Sequence, residues 1–80
     1  MLNRICIMPQ KGCKGLSNIR IKSAFKNIFS VEPVMIRSEG KNIIVHTSLE
    51  LKEKRVRRFA SNLGTYTQLQ GENNSFSFKL

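Results

Sequence analysis

Eighty residues, 40% apolar and 24% charged, are expected to fold as one small α+β domain spanning residues 1–80, with a two-layer core and no room for a second domain. Fourteen Lys and Arg against five acids, all Glu, leave a net charge of +9, so the expected partner is a polyanion. No stretch approaches the ~18 consecutive apolar residues of a membrane span, and the amino terminus lacks the order of a signal peptide. The chain therefore reads as a complete, soluble, cytoplasmic protein.

In chain order, residues 4–8 (RICIM) form a short apolar run stopped by Pro9, which suits a central strand buried on both faces. Lys11, Gly12, Cys13, Lys14 and Gly15 follow, two glycines each preceded within the loop by a lysine. Backbone amides and two lysines ahead of a helix can hold a phosphate. The loop lacks the length and the terminal Lys-Ser/Thr of a P-loop, so it is expected to be a plain strand-to-helix turn whose Lys11 and Lys14 touch a bound backbone. Cys6 and Cys13 fit no zinc spacing and the single His46 lies far off, so no metal or cofactor is expected and both thiols should be reduced.

Residues 16–30 change to the helical period. Ile21, Ala24, Phe25 and Ile28 stand at i, i+3, i+4 and i+7, Phe29 widens the stripe, and Ser17 is the expected N-cap. Lys22 and Lys26 fall on the outer side, with Arg20 across the stripe. Residues 31–39 and 42–47 read as a hairpin turned at Gly40, with Val34 and Ile36 on one face and Met35 and Arg37 on the other. In its second strand Ile43 and Val45 oppose Ile44 and His46.

Residues 49–64 predict a second helix, opened by a capping box at Thr47-Ser48-Leu49-Glu50 and stopped by Gly64. Leu49, Val56, Phe59, Ala60 and Leu63 share the core arc, Lys54 and Arg58 point away from it, and Arg55 and Arg57 flank them. Lys52, Lys54, Arg55, Arg57 and Arg58 outnumber the only nearby acids, Glu50 and Glu53. Guanidinium groups bond phosphate oxygens with two parallel donors, and three of these five are Arg. Residues 65–70 then alternate as a strand, 71–74 form a turn, and in 75–80 Phe76, Phe78 and Leu80 share one face.

This order predicts a ferredoxin-like (split βαβ) fold: βαββαβ in an antiparallel sheet with both helices on one face, and a last strand that extends an edge. Two hairpins standing as separate wings are the competing layout. An edge strand at 75–80 would also let a second copy pair with it as a homodimer.

The function expected is nucleic-acid binding through the phosphate backbone, RNA or DNA. Lys11, Lys14, Lys22, Lys26, Lys52, Lys54, Arg55, Arg57 and Arg58 are the contacting residues. The central strands offer Ile5, Ile7, Ile43 and Val45 where an RRM would place stacking aromatics, which favours duplex or structured targets over single strands. The alternative is a small phage or mobile-element regulator docking its basic face on an acidic surface of a larger host protein. An enzyme is not expected and no catalytic residue is assigned; the one chemistry the inventory would allow is a minimal metal-independent ribonuclease using His46 with Arg57 or Arg58.

Overall fold

The computed structural model describes residues 2–9 and 16–80, so Lys11, Lys14 and the rest of the expected Gly/Lys turn lie outside the described residues. The elements are β1 (Asn3–Met8), α1 (Asn18–Phe29), β2 (Met35–Glu39), β3 (Asn42–Thr47), α2 (Glu53–Leu63), β4 (Thr67–Glu72) and β5 (Ser75–Lys79). The strands make one five-stranded sheet in the order β2-β3-β1-β5-β4, with β1 in the middle as its apolar run demands. Because side chains alternate across a sheet, the register sorts them into two faces. Ile5 stands beside Val45 and Phe76, and Ile7 beside Ile43 and Phe78.

Onto this face pack Ile21, Ala24, Phe25 and Phe29 of α1 and Val56, Phe59, Ala60 and Leu63 of α2, one core of two layers. Phe59 meets Phe25 and Phe78 edge to face, at ring-centre distances of 5.7 and 6.2 Å. Offset and edge-on geometry adds to the roughly 1.5–3 kcal/mol that burial of each such side chain contributes. Ser17 caps α1 as expected, its side chain accepting from the Arg20 amide at 3.2 Å.

Several expectations are corrected. The last strand does not extend an edge. β5 lies between β1 and β4 and runs parallel to β1, so the sheet is mixed and its order is not the expected ferredoxin-like one. The reason is composition: Phe76 and Phe78 suit an interior strand with one face on the core, whereas β4 (TQLQGE) has little to bury and takes the edge. Pairing of a second copy along β5 is thereby ruled out, because both its sides are occupied. β1 is fully buried only on its helix side; Cys6, on the other, is half-buried.

The capping box does not form. α2 begins at Glu53, with Lys52 in the N-cap position and no side-chain cap. Thr47 belongs to β3, and its Oγ1 accepts instead from the Leu49 amide at 3.1 Å, a local turn that competes with helix initiation. Leu49 is thus in the connection and not on the helix, though its half-buried side chain still packs against the core beside the buried Leu51. Finally, the strand expected over 31–39 begins only at Met35, after Pro33, which leaves Val31 and Val34 exposed.

The connection before α2 is pinned from two directions. The Asn3 side-chain amide donates to the Leu49 carbonyl, and the Leu51 amide donates to Asn74 Oδ1, both at 2.6 Å. Asn73 and Asn74 form the β4–β5 turn with φ of 48° and 67°, the pair of positive values a type I′ turn needs. Replacing Asn74 with Ala should therefore cost about 2 kcal/mol, from an unsatisfied amide and a strained turn together. Asn74→Gly keeps the turn and loses only the bond, so urea unfolding of both variants separates the two contributions.

Candidate nucleic-acid interface

The helix layer concentrates the charge. α1 and α2 carry Arg20, Lys22, Lys26, Lys54, Arg55, Arg57 and Arg58 with Glu53 as their only acid, whereas the five strands carry Arg4, Arg37 and Lys79 against Glu39 and Glu72. The apolar stripe of α2 fixes this: with Val56, Phe59, Ala60 and Leu63 on the sheet, residues half a turn away must face water. Lys54 and Arg58 occupy that crest, and both are exposed without an ion pair among the described residues. Lys22 and Lys26 are exposed on α1, four residues apart.

Other basic residues are engaged. The two helices are antiparallel, and at each end an arginine of one holds the last turn of the other. Arg20 donates to the Leu63 carbonyl at 2.6 Å, and Arg55 donates to the Ile28 carbonyl at 3.3 Å. A guanidinium at a helix C-terminus satisfies an orphan carbonyl and complements the helix dipole. Arg57 pairs with Glu53 at 3.7 Å and Lys52 with Glu50 at 3.3 Å. These pairs are solvent-exposed, so they are weak and give way readily to a stronger anion.

The structure thus brings Lys22, Lys26, Lys52, Lys54, Arg55, Arg57 and Arg58 onto one layer, with Arg55 at the seam between the helices. Two shallow depressions mark its surface. One of about 420 Å³ is lined by Ile28, Arg57, Arg58, Ser61 and Asn62, and the other, of about 370 Å³, by Phe29, Leu49, Glu50, Lys52 and Arg55.

The opposite face of the sheet is uncovered, and it was not singled out as a site from the sequence. Arg4, Cys6, Ile44, His46, Arg37, Ser75 and Ser77 share it. The alternation of Arg4, Cys6 and Met8 with Ile5 and Ile7 was the available signal. His46 Nε2 accepts from Arg37 Nε at 3.0 Å, while its Nδ1 is buried with no partner among the described residues. Burial pushes the Cys6 thiol above its usual pKa range; nearby Arg4 opposes this shift and Glu39 reinforces it. His46 therefore lies across the sheet and core from Arg57 and Arg58, so the pairing a ribonuclease was expected to use is not formed. Among the described residues no three His, Cys, Asp or Glu side chains are grouped to hold a metal ion, and no helix is long and apolar enough to cross a membrane. No family model, curated protein or solved structure matches this chain.

Proposed function

We propose that this protein binds double-stranded or structured nucleic acid by its phosphate backbone, through the outer surface of α1 and α2. The observation that carries the reading is the charge of that layer: seven basic side chains and one acid on two helices, with Lys54 and Arg58 free of ion pairs among the described residues. Such a surface releases condensed counterions from a polyphosphate, which drives binding without base contacts.

Two further features favour a duplex over a single strand. All five Phe are buried, and Tyr66 packs edge-on against Phe78 at 6.2 Å, so no aromatic is left as a platform for stacking unpaired bases. Two helices side by side, about 10 Å apart and each about 10 Å across, also span more than the ~12 Å major groove of B-DNA. The layer lies across backbones and does not insert.

Fluorescence-polarisation titrations of labelled duplex RNA, duplex DNA and oligo(dT) at several salt concentrations test this. About four to five phosphate contacts should give a log–log slope near −4 for duplexes, with weaker binding to oligo(dT). Absence of duplex binding at about 50 mM salt, or binding indifferent to salt, would overturn it. A protein retained from nuclease-treated lysate in the absence of duplex binding would point to an acidic docking partner instead.

A further inference from the structure

The uncovered face of the sheet holds a trough whose shape follows from its register. Across the middle of the sheet, Gln70, Ser77, Cys6, Ile44 and Arg37 stand in one row. Its central members are short or apolar, and longer side chains rise around them: Arg4 on one side, Glu39 on the other. The result is a cavity of about 290 Å³ at the sheet centre. Ile44 is only 4% exposed although no helix covers this face, so the walls close substantially over their floor.

We propose that this trough binds a small zwitterion of the amino-acid type, its carboxylate on the Arg4 guanidinium and its ammonium on the Glu39 carboxylate. Arg4 is held by one donor only, Nε to Ser75 Oγ at 3.3 Å, which leaves the two terminal nitrogens to take a carboxylate side by side. Glu39 accepts from Arg37 through Oε2 at 2.8 Å, and its Oε1 is available to an ammonium. Opposite charges on facing walls select a ligand carrying both signs and reject a simple anion or cation. Asn42, Gln70 and Ser77 make no side-chain hydrogen bond to another described residue, so their donors and acceptors remain for the ligand. Cys6 and Ile44 give the floor an apolar patch for a short aliphatic segment. The volume suits a molecule of a few heavy atoms.

This site is independent of the nucleic-acid reading, since the sheet and core separate the two faces. Calorimetric titration of the full chain with glycine, alanine, serine, β-alanine and γ-aminobutyrate, each beside its N-acetyl and carboxamide derivatives, tests it at neutral pH. Saturable binding is expected for at least one zwitterion, weakened on the order of tenfold or more when either end is blocked. Arg4→Gln and Glu39→Gln should each cause a similar loss. Ser77→Leu should fill the floor and abolish binding while leaving the thermal midpoint of the free protein nearly unchanged. In a Cys13→Ser background, saturating ligand should also slow alkylation of Cys6. No binding by any zwitterion at millimolar concentration, equal binding of the blocked derivatives, or undiminished binding by Ser77→Leu would overturn the proposal.

Discussion

Replacing Lys54 and Arg58 together with Glu should weaken duplex binding at least 100-fold in 0.1 M salt. Each phosphate contact contributes roughly tenfold at that salt through counterion release, and two are lost, with like-charge repulsion added. The pair is chosen because both side chains point away from the core and neither is in an ion pair among the described residues. Exposed substitutions of this kind change stability by about 0.5 kcal/mol or less, so a fall in affinity cannot be attributed to unfolding. The decisive control has the same change in net charge placed elsewhere. Lys41, in the β2–β3 turn, and Lys79, on the uncovered face of β5, can also be changed to Glu. If the helix layer is the interface, that variant should lose only a few-fold. Equal losses from the two double variants would mean that the duplex responds to the total charge of the molecule, and the assignment of a face would fail.

Gly71→Ala should be the most damaging single substitution outside the core, lowering stability by about 3 kcal/mol and the unfolding midpoint by roughly 10–20 °C. Gly71 lies opposite Phe76 in the β4–β5 pair, with φ of 156°. A Cβ there would stand 2.3 Å from the Ser75 carbonyl oxygen, 2.6 Å from the Phe76 Cα and 2.8 Å from the Phe76 ring. Two of those three atoms are backbone in an interior strand, so relief requires the strands to part and the Phe76 side chain to move with them. Gly40→Ala is the comparison. With φ of 63° and nothing within 4 Å of its added Cβ, it should lose only about 1 kcal/mol, the cost of the left-handed conformation. Circular-dichroism melts of the two variants, run beside the parent, check both values.

The local grammar of this chain was legible and its long-range pairing was not. Ser17 as N-cap, the Ile21 to Phe29 stripe, the Gly40 turn and the bounds of β3 all depend on residues within a few positions of one another, where side-chain period and turn chemistry act directly. The direction of β5 is a different matter. Alternating Phe76 and Phe78 announced a strand with one buried face, and that was correct, but the same alternation serves an edge or an interior place. What decides is competition with β4, whose polar run has less to gain from the centre. Thr47 shows a similar limit at short range. Its spacing to Glu50 satisfies a capping box, yet its side chain is drawn into a turn with Leu49 because β3 extends through it.

The candidate interface was legible as a set of residues, since an apolar stripe determines which positions of a helix meet water. The structural arginines were not. That Arg20 and Arg55 each hold the other helix's last turn follows from the antiparallel packing of α1 and α2, which no spacing within either helix reveals. The trough on the uncovered face was likewise invisible, because the short side chains of Cys6, Ser77 and their neighbours become a row only when strands distant in sequence are aligned.

The parallel union of β1 and β5 bears on how the molecule is made. Arg4 and Ser75 face each other across it, 71 positions apart, and the joint lies at the middle of the sheet. Closing so long a loop is entropically costly and is rewarded only when the strand arrives. During synthesis, Ile5 and Ile7 are made long before Phe76 and Phe78, and β3 is available to pair with them earlier than β5. Until then their flank is an open strand edge beside an incomplete core, the kind of surface that chaperones and other nascent chains recognise. The native sheet is therefore completed late, when β5 arrives beside its central strand, and the basic helices are laid on a platform that still lacks one flank.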